Sequence, residues 1–182
     1  MLTPLQRMKL ARYFTVYDVD GDGRVGRGDF DRVVENVRLL HGLDPGSRKE
    51  QKLRDAFLRR WDALREAADT NQDGTVDLSE WLDYWGAVIA SDDRYDDEVA
   101  SIASMLFSMF DTDGDGVIGP DEFCDYYNVY GLSSALARQV FLDLDADGDG
   151  AISLLELMDM AHEFFRGDDR DAPGNRLFGP YE

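Results

Sequence analysis

The chain has 182 residues, enough to bury a core as one domain or two small ones, and a formal net charge of −19. With 38 Asp and Glu against 19 Lys and Arg, it offers no basic surface for a nucleic-acid backbone. Cys124 is the only cysteine, which excludes an intrachain disulfide, and no apolar run approaches membrane-spanning length.

From the N-terminus, Thr3-Pro4-Leu5-Gln6 fits a capping box with Pro4 at the first helical position, opening a predicted helix over 4–17. Leu10, Tyr13, Phe14 and Tyr17 form its i, i+3, i+4, i+7 stripe. An acidic twelve-residue segment follows from Asp18, then a helix over 28–41 with Phe30, Val33, Val34 and Val37, stopped at Gly42. Ser47-Arg48-Lys49-Glu50 also fits a capping box and starts a helix over 48–68. Trp61, Leu64 and Ala68 mark its apolar face, and Arg65 is the one polar residue on that stripe. The same helix carries Arg48, Lys49, Lys52, Arg54, Arg59, Arg60 and Arg65, read as a solvated face or a contact with the acidic half of the chain, with docking of an acidic partner as the alternative.

A second acidic segment begins at Asp69, and Trp81, Tyr84, Trp85 and Val88 line a helix over 78–90. Ser91 to Asp97 reads as an acidic solvated connector between halves 1–92 and 93–182. The C-terminal half repeats the plan, with predicted helices over 97–110, 120–130, 134–144 and 154–166. Acidic segments start at Asp111 and Asp145, and Gly131 and Gly167 stand where exit helices stop. His41 is assigned to a helix end and His162 to packing.

The four acidic segments share one register: an acid at position 1, Asp or Asn at 3, Asp at 5, Gly at 6, an aliphatic at 8 and a carboxylate at 12. Calcium takes six to eight hard oxygens, which a short loop supplies only if oxygens recur at alternate residues around a tight turn. Glycine at position 6 makes that turn without a Cβ clash. The expected ligands are as follows. Loop 1 offers Asp18, Asp20, Asp22, the Arg24 carbonyl and Asp29; loop 2 offers Asp69, Asn71, Asp73, the Thr75 carbonyl, Asp77 and Glu80. Loop 3 offers Asp111, Asp113, Asp115, the Val117 carbonyl and Glu122; loop 4 offers Asp145, Asp147, Asp149, the Ala151 carbonyl, Ser153 and Glu156. Asp29 is one methylene shorter than the closing Glu of the others, so loop 1 should drift toward six ligands and toward magnesium. Three or four calcium ions are expected in all.

This register identifies EF-hands: an all-α fold of four helix–loop–helix units in two compactly packed lobes. Position 8 residues should meet in short antiparallel bridges, Val25 with Val76 and Ile118 with Ile152. The loop starts, 51, 42 and 34 residues apart, and the tail from Ala172 to Pro180 resemble those of the sarcoplasmic calcium-binding proteins, calerythrin among them. That resemblance implies a calcium and magnesium buffer whose apolar surfaces face each other across the lobes. Family members usually carry a degenerate loop, whereas here only Asp29 departs from the pattern.

Six Met against ten Phe, eight Tyr and three Trp argue for a packed aromatic interior over the adaptable groove of a calcium sensor. Leu177 and Phe178 could fold back into the space a target helix would take. The expected function is therefore buffering by a cytoplasmic monomer, with no membrane or nucleic-acid partner and no catalytic site. A sensor acting on a partner protein is the alternative, and a luciferin-binding protein a remote one. The N-terminus lacks the apolar core of a secretory signal, and Leu2 stands where myristoylation needs glycine.

Overall fold

The computed structural model describes residues 1–181. Eight helices run α1 (Pro4–Tyr17), α2 (Arg27–Leu40), α3 (Arg48–Ala68), α4 (Leu78–Ile89), α5 (Asp92–Phe110), α6 (Pro120–Val129), α7 (Ser134–Leu144) and α8 (Leu154–Arg166). Four two-residue strands lie in the loops: β1 (Arg24–Val25), β2 (Val76–Asp77), β3 (Val117–Ile118) and β4 (Ile152–Ser153). β1 pairs antiparallel with β2 and β3 with β4, setting Val25 opposite Val76 and Ile118 opposite Ile152 as expected. Each bridge buries its aliphatic pair and ties two helix–loop–helix units into one lobe.

The caps follow the chain's local chemistry. Thr3 and Gln6 close the expected box, the Thr3 hydroxyl accepting from the Gln6 N–H and the Gln6 side chain accepting from the Thr3 N–H. At Ser47 only half the box forms, because Glu50 turns its carboxylate toward the Gly46 N–H and Arg54 instead. Gly42 and Gly131 end their helices in the left-handed region, at φ 57° and 75°. Gly167 ends α8 for a different reason. Its φ is −65°, and an added Cβ would strike the carbonyl of Glu163.

The segment 91–97 departs from its reading as a solvated connector, since α5 begins at Asp92. Asp92 and Asp93 sit in its first turn, where carboxylates favour the positive end of the helix dipole. Tyr95 anchors the turn: it is buried, with the Arg166 guanidinium 3.8 Å from its ring centre, and Arg166 also pairs with Asp92 at 2.9 Å. The four nearby aspartates masked this apolar anchor. His162 likewise differs from its assignment to packing: it is exposed on α8, with its ring centre 6.3 Å from that of Tyr95 at 89°.

The lobes press face to face. Trp85 of α4 stacks on Phe165 of α8 at 4.5 Å and 12°, and Tyr13 of α1 lies within 5.5 Å of Trp81, Trp85 and Phe165. Polar contacts frame these rings. Asn36 donates to the Val129 carbonyl at 2.7 Å, and Arg60 pairs with Glu98 at 2.6 Å, placing one arginine of the basic helix against the acidic half. The tail folds back over this seam. Leu177 and Phe178 are 2% and 3% exposed, and the Phe178 ring sits 4.1 Å from that of Tyr13. Lys9 of α1, wholly buried, donates to the carbonyls of Glu163 and Gly167 and to Asn175 Oδ1 at 2.8–2.9 Å. One ammonium thereby joins α1, the end of α8 and the tail.

Candidate metal centre

Each loop is wound by its own carboxylates. The position 1 aspartate accepts the position 6 glycine N–H in all four: Asp18 from Gly23 at 2.9 Å, Asp69 from Gly74 at 3.0 Å, Asp111 from Gly116 at 3.2 Å and Asp145 from Gly150 at 3.0 Å. Those glycines have φ between 84° and 88°, where an L side chain is strained. The position 5 carboxylate accepts the position 7 N–H in each case: Asp22 from Arg24, Asp73 from Thr75, Asp115 from Val117 and Asp149 from Ala151. The Asp20, Asn71, Asp113 and Asp147 side chains accept the position 5 N–H in the same way.

The closing carboxylate spans the loop. Asp29 accepts from Val19 N–H at 3.0 Å with one oxygen and from Gly26 N–H at 2.8 Å with the other. Glu80 spans Thr70 and Asp77, and Glu122 spans Thr112 and Gly119. Glu156 accepts the N–H and hydroxyl of Ser153 through Oε2. Its Oε1 is buried without a hydrogen bond of good geometry, and a buried carboxylate oxygen left in that state fits a cation.

The electrostatics of the closing groups differ. At Asp29 burial outweighs the backbone donors and pushes the carboxyl above its ordinary range. At Glu122 burial is outweighed by the N–H groups of Gly119 and Thr112, and at Glu156 the Ser153 N–H leads; both are held below the ordinary range. A group held down stays anionic and available to a divalent ion.

Carboxylate oxygens gather within 4.8 Å of one another in three loops: Asp18, Asp20 and Asp22; Asp111, Asp113 and Glu122; Asp145, Asp147 and Glu156. The closing Glu joins the cluster in loops 3 and 4, while the loop 1 cluster leaves out Asp29, consistent with its shorter reach. In loop 2 the third position is the neutral Asn71, and Asp73 is engaged by a cation from the neighbouring loop: Arg24 reaches Asp73 at 2.6 Å and the Thr75 hydroxyl at 2.8 Å. Arg24 enters the sequence reading only through its carbonyl. Its side-chain role was signalled by position 7 lying on the bridge strand that faces loop 2. All-oxygen donor sets with this alternation fit calcium or magnesium.

Comparison with known proteins agrees with this geometry. A model of the EF-hand domain pair matches residues 7–86, a second such model matches 100–130, and an EF-hand model matches 137–161. The chain belongs to the EF-hand family and is of the sarcoplasmic calcium-binding protein and calerythrin type. It is 27% identical to calerythrin of Saccharopolyspora erythraea, over 92% of this chain and 96% of that one. A calcium-binding protein of Streptomyces coelicolor, described as acting in prokaryotic calcium-mediated regulation, superposes with a TM-score of 0.70 at 25% identity, covering 90% of this chain and 99% of that one. The calcium-loaded coelenterazine-binding protein of Renilla muelleri superposes at 0.75 with 23% identity, over 98% and 99% of the two chains, a likeness of fold. No helix among the described residues is long and apolar enough to cross a membrane.

Proposed function

We propose that this calcium-binding protein is a cytoplasmic monomer that buffers calcium, with no catalytic role. It would take up ions through the carboxylates of its four loops and hold them while its apolar surface stays covered. Residues 1–92 and 93–182 form its two ion-binding pairs, and magnesium competes most effectively in loop 1, where Asp29 closes the site. The observation that carries the reading is the tail: Leu177 and Phe178 are seated in the apolar seam where a target helix would dock. Beneath Leu177 the remaining voids are only about 10 Å³ each, and the ring of Phe178 lies against Tyr13. That filled interior supports buffering over the luciferin-binding alternative.

The sensor alternative draws support from the Streptomyces coelicolor protein, whose description speaks of regulation. Binding of the apolar dye ANS, followed during a calcium titration at constant millimolar magnesium, separates the two. A flat or falling signal while calorimetry registers binding is the expected result. A large rise would mean that calcium lifts the tail and opens a groove, and the protein would be a sensor.

A further inference from the structure

Two arginines sit on carboxylates of the N-terminal loops, and no ion pair engages the corresponding carboxylates of loops 3 and 4 among the described residues. Arg24 of loop 1 crosses the β1–β2 bridge to Asp73 Oδ2 at 2.6 Å and is held there by the Thr75 hydroxyl at 2.8 Å. Arg32 of α2 reaches Asp20 Oδ2 at 3.2 Å. In the C-terminal pair the nearest counterparts, Arg138–Asp121 and Arg176–Asp143, fall on residues outside the ligand positions.

Arg24 holds one oxygen of a carboxylate that an ion in loop 2 would engage. Oδ1 of Asp22, Asp73, Asp115 and Asp149 accepts the position 7 N–H. Among the described residues, only Asp73 of these four has its other oxygen gripped by a guanidinium. We propose that Arg24 is a built-in competitor of the ion at loop 2, lowering its calcium affinity and making it fill after loops 3 and 4. Arg32 does the same, more weakly, at loop 1. This inference rests on the four loops being ion sites.

The size of the effect follows from Coulomb's law. A guanidinium at 2.6 Å from Asp73 and an ion at about 2.4 Å from either oxygen of that carboxylate lie about 5–7 Å apart or less. In a water-like medium with physiological salt their repulsion weakens binding by about twofold to fivefold. If the ion expels Arg24, binding instead loses the ion pair and its hydrogen bond, which acts in the same direction.

Each loop carries its own reporter: the amide of Gly23, Gly74, Gly116 or Gly150, donated to the position 1 carboxylate that an ion would engage. The test follows these four amides by 1H–15N NMR in the full chain during a titration with chelator-buffered calcium. In the wild type, Gly116 and Gly150 should shift before Gly74. Arg24→Gln should move the Gly74 midpoint to about twofold to fivefold lower free calcium and leave Gly116 and Gly150 in place. Arg24→Lys, which keeps the charge, should move it less, and Arg32→Gln should advance Gly23 by a smaller factor. An unmoved or retarded Gly74 midpoint in Arg24→Gln would overturn the proposal. If Gly74 fails to shift in any form while the other three respond, loop 2 takes no ion; its place in the buffering reading then falls, and the role of Arg24 with it.

Discussion

The N-terminal and C-terminal pairs share one backbone and differ in what surrounds their loop carboxylates. Both bridges have the same register, and the position 6 glycines agree within a few degrees of φ. Around that frame the C-terminal loops close on Glu122 and Glu156, both held below the ordinary carboxylate range, and no arginine sits on their ligand positions among the described residues. The N-terminal loops have the short Asp29, whose carboxyl burial pushes up, the neutral Asn71, and Arg24 and Arg32 on ligand carboxylates. Gln72 also holds the left-handed fourth position that Gly21, Gly114 and Gly148 fill elsewhere. Glycines and aliphatic bridge residues fix the shape of a loop, whereas charge and reach at a few neighbouring positions set its grip. Two pairs of one shape can therefore work over different ranges of calcium.

The largest expected effect breaks this contrast at its strong end. A carboxylate about 2.4 Å from a divalent ion contributes ~3.5 kcal/mol even in a water-like dielectric. Glu156→Gln should then weaken loop 4 by about a hundredfold or more, read as the loss of one tight ion by calorimetry. Asp29→Asn should cost loop 1 less, because its carboxylate stands outside the oxygen cluster of that loop. Equal losses would mean that the two closing residues serve their ions alike, and an unchanged ion count in Glu156→Gln would remove Glu156 from the ligand set.

The second effect concerns how the N-terminal half secures the C-terminal one. Lys9→Met removes the ammonium shared by Glu163, Gly167 and Asn175, leaving the Gly167 carbonyl and Asn175 Oδ1 without this donor at a cost of about 3 kcal/mol. Urea unfolding of the calcium-loaded protein should show this loss, and hydrogen exchange at Leu177 and Phe178 should accelerate. Burial lowers the Lys9 pKa to about 8. Between pH 8 and the ordinary lysine value of 10.5 the unfolded chain keeps a proton that the folded chain releases, so this residue's contribution to stability rises with pH. The slope of stability against pH in that window should be less positive in Lys9→Met. Unchanged stability and slope would show that Lys9 does not secure the tail.

Much of this architecture is legible in the chain because each feature rests on a local rule. The stripe Trp81, Tyr84, Trp85 and Val88 has the period of a helix, and Val25 and Val76 occupy equivalent places in loops that can only pair antiparallel. The alternation of oxygens around Gly23, Gly74, Gly116 and Gly150 likewise needs no tertiary knowledge. What escaped depends on partners distant in sequence. The first turns of α5 look like an acidic linker until Arg166, more than seventy residues away, is seen over the Tyr95 ring. Nothing in the sequence marks Lys9 as buried; the carbonyls at the end of α8 and Asn175 of the tail make its ammonium tolerable there. The Arg24 side chain belongs to loop 1 in sequence and pairs with loop 2, across a two-residue bridge that sets Arg24 opposite Asp77.

The smallest expected effect tests whether backbone strain contributes to the difference between the pairs. Gln72 has φ 60° and an exposed side chain, while its counterparts Gly21, Gly114 and Gly148 have φ between 71° and 77°. The left-handed region costs a residue with a Cβ about 1–2 kcal/mol, and glycine returns part of that gain through the freedom it adds to the unfolded chain. Gln72→Gly should therefore stabilise the ion-free protein by about 0.5–1 kcal/mol in urea unfolding. It should leave the Gly116 and Gly150 amides where they are, because the relief is confined to loop 2. A loss of stability would mean that Gln72 sits in its turn without strain, and any difference in grip between the pairs would then reside in charge and reach at Arg24, Arg32, Asn71 and Asp29.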